Sequence, residues 1–267
     1  MLLPHTKLRK IWLQRTLRAY PLYDPPHKAE ERLLSRDKAA ENFDYFMRVR
    51  RQRVVYFTDW LRHEFRAKVP LDEEGVRALN RWGNKYAGLL LRPRSRGDAL
   101  PSPYFTYNPP WTGENAGYST LFDMGMAYGE IIIAKCPKLY WDVDPISAVL
   151  PRTARMFKHT RGLGFQRPKL TGFDNPAAEV DPLGSVYGFA HQMMSNMTTF
   201  DGFSRYQMLH RESRRNIRDE LINDFSIVLR SYPAADDAYK LRQQLSPEDY
   251  LKFIDAAETE GWEHGNE

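Results

Sequence analysis

The sequence predicts a mostly helical α+β protein, with several amphipathic helices, a small sheet and a long loop rich in proline and aromatic residues. Three observations predict it. Apolar residues recur at three- and four-residue steps along much of the chain. Strand candidates are few and short. Prolines gather between the periodic stretches, where they forbid helical continuation.

Residues 6–19 are the first helical segment, with Leu8, Ile11, Trp12 and Arg15 on one side. Pro21, Pro25 and Pro26 then form a linker, so residues 1–27 read as a basic N-terminal arm and residues 28–267 as a single globular domain. A helix this short is marginal alone in water. The arm is therefore expected to pack against its own domain, a second copy or a partner through Leu8, Ile11 and Trp12, leaving Lys7, Arg9, Lys10 and Arg18 in solvent. From Lys28 to Arg66 runs the longest helical pattern, with room for one break. Phe43, Phe46, Met47, Arg50, Val54, Phe57, Leu61 and Phe65 mark its stripe, and Pro70 closes it. Asp72 is placed to cap a further helix, whose stripe is Val76, Leu79, Trp82, Tyr86 and Leu89.

Residues 92–117 change character, with five prolines among glycines and aromatics. They read as a long ordered loop with room for a short strand at Tyr104–Tyr107. An apolar helix at 118–135 and a strand at Leu139–Val143 follow, then a helix over 146–159. Residues 161–181 read as turns with one edge strand. Helices are expected at 183–199, 205–230 and 247–259, the last opened by Ser246 and Pro247.

With 42% apolar and 13% aromatic residues in 267, the chain can bury a large core, which excludes global disorder and collagen-like repeats. Its one cysteine, Cys136, excludes an internal disulfide and favours a reducing compartment. No apolar run reaches the length of a spanning helix, and Lys7, Arg9 and Lys10 interrupt any secretory core. The expected setting is the cytoplasm, without membrane attachment. The net charge of +5 conceals a gradient: +8 over residues 1–70 and −6 over residues 231–267. Such ends suit partner steering or self-association.

Catalytic signatures fail residue by residue. His63-Glu64 opens like a zinc-protease helix, but Ala67 stands where the second histidine belongs. Gly162-Leu163-Gly164 opens like a dinucleotide loop, yet Arg167 occupies the third glycine position. Gly202-Phe203-Ser204-Arg205-Tyr206 lacks the closing glycine of a nucleophile elbow. His191, Met193, Met194 and Met197 could be soft ligands, but core packing is the ordinary role of such a cluster. Arg211, Arg214, Arg215 and Arg218 could track phosphates, though nearby carboxylates dilute them. No catalytic residue, metal or cofactor is expected.

Two features invite function. Asp123 and Glu130 lie seven residues apart, about 10 Å along one helix face, a spacing at the far edge for paired acid and base. Structural ion pairing is their alternative role. Gly125 and Gly129, one turn apart, leave that helix open to close approach. The second feature is the proline-rich loop. Tyr104, Phe105, Tyr107 and Trp111, preceded by Arg92, Arg94 and Arg96, are the residue types that dominate binding hot spots. With Trp12 they form the expected partner-binding set.

The stretch from Leu121 to Ile133, followed by Leu139-Tyr140-Trp141-Asp142, resembles a pattern in uncharacterised bacterial domain families: an apolar helix ending in Gly-Glu, then a strand carrying tryptophan. Some relatives of that kind lie near toxin–immunity loci. The resemblance implies a bacterial α+β domain and carries over no catalytic residue. The resulting expectation is a non-enzymatic protein-binding protein, an immunity or accessory protein. Nucleic-acid binding through the basic N-terminal region is one alternative, and a hydrolase using Asp123 and Glu130 is another.

Overall fold

A computed structural model describes residues 4–29, 31–91, 112–143, 166–173, 179–197 and 219–232. Among these residues the chain forms six α-helices and a two-stranded sheet, the mostly helical α+β class. The helices are α1 (Pro4–Thr16), α2 (Arg36–Phe65), α3 (Glu73–Leu90), α4 (Gly117–Lys135), α5 (Pro182–Met197) and α6 (Glu220–Ser231). The strands are β1 (Tyr140–Val143) and β2 (Pro168–Thr171). The expected helices at 146–159 and 247–259, the strand at Tyr104–Tyr107 and the arginines at 211–218 lie outside the described residues.

Caps fix several helix starts. Ser35 accepts from the Lys38 amide, and Asp72 accepts from the Gly75 amide at 3.1 Å. Asp181, just before Pro182, accepts from the Gly184 amide at 2.7 Å. Each carboxylate or hydroxyl satisfies an amide that the helix itself leaves without a partner. The long pattern from Lys28 is broken once, by a 3-10 turn at Glu31–Leu33 before α2. It ends within one residue of the expected Arg66: Phe65 is the last helical residue, and Arg66 turns the chain in the left-handed region, φ 54°.

Helix α5 packs against both α3 and α4, α2 covers α4, and α6 lies on α3 and α5. The glycines of α4 allow the close approach of α5 and of β1. A Cβ on Gly125 would meet the Leu183 side chain at 2.8 Å, and one on Gly129 would collide with the Trp141 ring. Met193 and Met194 are buried in the same core, and the half-buried His191 ring packs edge-on against Tyr187 at 4.5 Å. Cys136 is buried and free, and burial pushes its thiol up.

Strand β1 pairs with β2 in antiparallel register, Trp141 opposite Leu170 and Asp142 opposite Lys169. The other edge of β2 is closed by a bridge from Leu170 to Val180. Pro168 sits at the first residue of its strand, where the missing N–H costs least. Just before it, Gln166 donates to the carbonyls of Glu31 and Leu34, at 2.7 and 3.0 Å. Buried Arg167 lies between Glu31 and Asp181, at 3.9 and 3.4 Å. Burial pushes the Glu31 carboxyl up to about 8, partly offset by the Arg167 cation, so it holds its proton through neutral pH.

Candidate functional site

The two carboxylates singled out in α4 are both engaged by arginines of α2. Arg53 donates to Asp123 twice, Nε to Oδ1 at 2.6 Å and an Nη to Oδ2 at 2.9 Å. Tyr20 donates its hydroxyl to Oδ2 at 2.7 Å. The Asp123 side chain is wholly buried. Burial pushes it up to about 6 while Arg53 and the hydrogen bonds pull it back down, so the carboxylate is ionised at neutral pH. Seven residues on, Glu130 makes an ion pair with Arg50 at 2.7 Å and accepts from the Trp141 indole at 2.8 Å.

These pairs have the chemistry of a clamp. The remaining donors of Arg53 reach the carbonyls of Pro21 and Leu22, at 3.0 and 3.1 Å. Its guanidinium lies over the Tyr23 ring, 5.5 Å from the centroid. Tyr23 in turn donates its amide to Ser119 at 3.0 Å. One arginine of α2 thus ties the proline linker to α4. Both carboxylates thus act as acceptors for arginines of α2, Asp123 through both of its oxygens and Glu130 through Oε1. Arg53 and Tyr20 were invisible as partners of Asp123 because they lie 70 and 103 residues away in sequence.

The linker therefore carries α1 into the core. Leu13 is fully buried, Tyr20 and Tyr23 are nearly so, and Leu17 packs against the same cluster. Of the three settings expected for the arm's apolar patch, own domain, second copy or partner, the first is not the one observed. Leu8, Ile11 and Trp12 do not hold the arm to its own domain: they remain 72, 63 and 47% exposed. Lys7, Arg9, Arg15 and Arg18 are exposed around them. The period of the helix explains the difference, since Leu13 and, in the 3-10 turn Leu17–Ala19 that continues α1, Leu17 form a second apolar face four residues apart. One face docks, and the other is left for solvent or a partner.

Of the expected partner-binding residues, Trp12 stands in this outer face. Arg92, Arg94, Arg96, Tyr104, Phe105, Tyr107 and Trp111 lie outside the described residues. Among the described residues on either side of them, Gly117 packs directly on the backbone of Leu90. Among the described residues, no group of three or more His, Cys, Asp or Glu side chains is arranged to hold a metal ion. No helix there is long and apolar enough to cross a membrane.

Fold and surface together define a helical α+β protein with an anchored basic arm. Beyond that class, no family model, no curated protein and no solved structure matches the chain.

Proposed function

We propose that the chain is a non-enzymatic, cytoplasmic protein-binding protein of bacterial type, serving as an immunity or accessory protein, and that the outer face of α1 is a partner surface. One observation carries this reading: Leu8, Ile11 and Trp12 are exposed on a helix whose opposite face is anchored in the core. Anchoring matters because a rigid presenting helix loses little freedom on binding. The first 23 residues hold five cations and no carboxylate, so the fitting partner offers an apolar groove with an acidic rim. The bacterial and immunity parts of the proposal rest on the Gly-Glu helix and tryptophan strand of α4 and β1.

Affinity purification from the native cell, run on the wild type and on a Leu8→Ser/Ile11→Ser/Trp12→Ser variant, tests the proposal. A protein retained near stoichiometry by the wild type, released by salt and lost by the variant is the expected result. Absence of such a partner, or equal retention by the variant, overturns it.

A further inference from the structure

Where α2 turns into α3, a groove of about 630 Å³ opens on the surface. That volume is in the range of small-molecule sites. Its apolar lining is aromatic: Phe65 and Tyr86 lie 4.7 Å apart between centroids, with Trp82 at 5.6 and 5.7 Å from them. Phe65 and Tyr86 are half-buried, while Trp82 is buried beneath. The rim is basic. Arg66, Lys68 and Lys85 are exposed on it and make no ion pair among the described residues. The one carboxylate among the described lining residues, Glu74, is engaged by Arg81 at 2.6 Å.

Arg66 adds an independent observation. It occupies the left-handed position that ends α2, φ 54° and ψ 29°, where glycine is the unstrained residue. A long cation at that position sets backbone cost against a side chain on the groove rim. Strained residues of this sort gather at functional sites, which makes the outlier a pointer to function.

We infer that the groove between the end of α2 and α3 binds a small planar aromatic anion, chemically a mononucleotide. Its ring stacks on the Phe65–Tyr86 wall, and its phosphate is held by Arg66, Lys68 and Lys85. Each part of the ligand answers a part of the site. Stacking needs flat π faces without base selectivity, and a phosphate needs several donors that no carboxylate has already taken. A divalent cation does not fit, since the one carboxylate among the described lining residues, Glu74, is paired. A purely apolar ligand would leave three cations beside it without partners.

Calorimetric titration of the full chain at low salt tests this with adenosine monophosphate, adenosine, inorganic phosphate and a short single-stranded oligonucleotide. The expected result is saturable one-site binding of adenosine monophosphate, at least about tenfold tighter than adenosine or phosphate alone. Tyr86→Leu and Arg66→Gly should each weaken it about tenfold. Arg66→Gly relieves the left-handed strain, so its melting temperature stays level or rises and lost binding cannot be laid to unfolding. Absence of binding, equal binding of adenosine, or unchanged affinity in both variants overturns the assignment. Binding of the oligonucleotide without the mononucleotide also overturns it, and would make the groove a nucleic-acid surface.

Discussion

The two faces of α1 put the same kinds of side chain to opposite ends. On the inner face, Leu13 is fully buried and Leu17 packs behind it, continuing into Tyr20 and Tyr23. On the outer face, Leu8, Ile11 and Trp12 carry comparable apolar area and keep much of it in water. The inner face is backed by a polar clamp, Arg53 with Asp123 and Tyr20, while Lys7, Arg9, Arg15 and Arg18 are exposed around the outer face. Apolar content therefore does not separate folding from recognition in this helix. Anchorage does, because only a face fixed from behind can hold another face exposed.

The sharpest break in that contrast comes from the clamp. Asp123→Ala leaves the Arg53 guanidinium buried without its carboxylate, which costs about 3–5 kcal/mol for a pair this enclosed. Urea unfolding measures the loss, and both α1 and α2 should lose protection in hydrogen exchange. A variant as stable as the wild type would mean the clamp is idle. Leu13→Ala comes next, at about 2–4 kcal/mol for a fully buried leucine. Its cost appears as a lower urea midpoint with an unchanged slope.

A further effect is pH-dependent. Glu31, held up to about 8 by burial, binds a proton in the folded chain that it releases above the ordinary carboxylate range when unfolded. The folded state then carries more bound protons, so this contribution to stability is complete below about 4.5 and is lost as pH rises through about 8. Glu220, pushed up to about 7 by burial and by Asp224, acts in the same direction. Melting temperature should therefore fall between mildly acidic and mildly alkaline pH, and Glu31→Gln should flatten the fall. A Glu31→Gln profile parallel to the wild type would contradict this.

Much of this fold was legible in the sequence, and for a physical reason. The stripe of α2, the Asp72 cap, the glycines of α4 and the Trp141 strand are all local signals. Each depends on residues within a turn or two of one another. The clamp was not legible, because Asp123 and Glu130 share a helix face whatever stands opposite, and only the folded chain brings Arg53 and Arg50 there. The outer face of α1 was legible by its residues, Leu8, Ile11 and Trp12, but not what it would meet, own domain, second copy or partner. That the arm's own domain takes Leu13 and Leu17 instead depends on residues of α2 and α4 far away in sequence. The groove needed two elements at once, the end of α2 and one side of α3. Its only sequence trace is the pairing of Trp82 with Tyr86, one turn apart.

The most direct measurement pairs stability with partner retention in two variants, Leu13→Ala and Leu8→Ser/Ile11→Ser/Trp12→Ser. The outer-face variant should unfold within about 0.5 kcal/mol of the wild type, since exposed substitutions change stability little, and should no longer retain the partner that the wild type holds. Leu13→Ala should show the reverse order, a clear loss of stability with partner retained while the chain stays folded. An outer-face variant that unfolds easily, or one that keeps its partner at wild-type yield, would contradict the division of α1 into an anchoring face and a binding face.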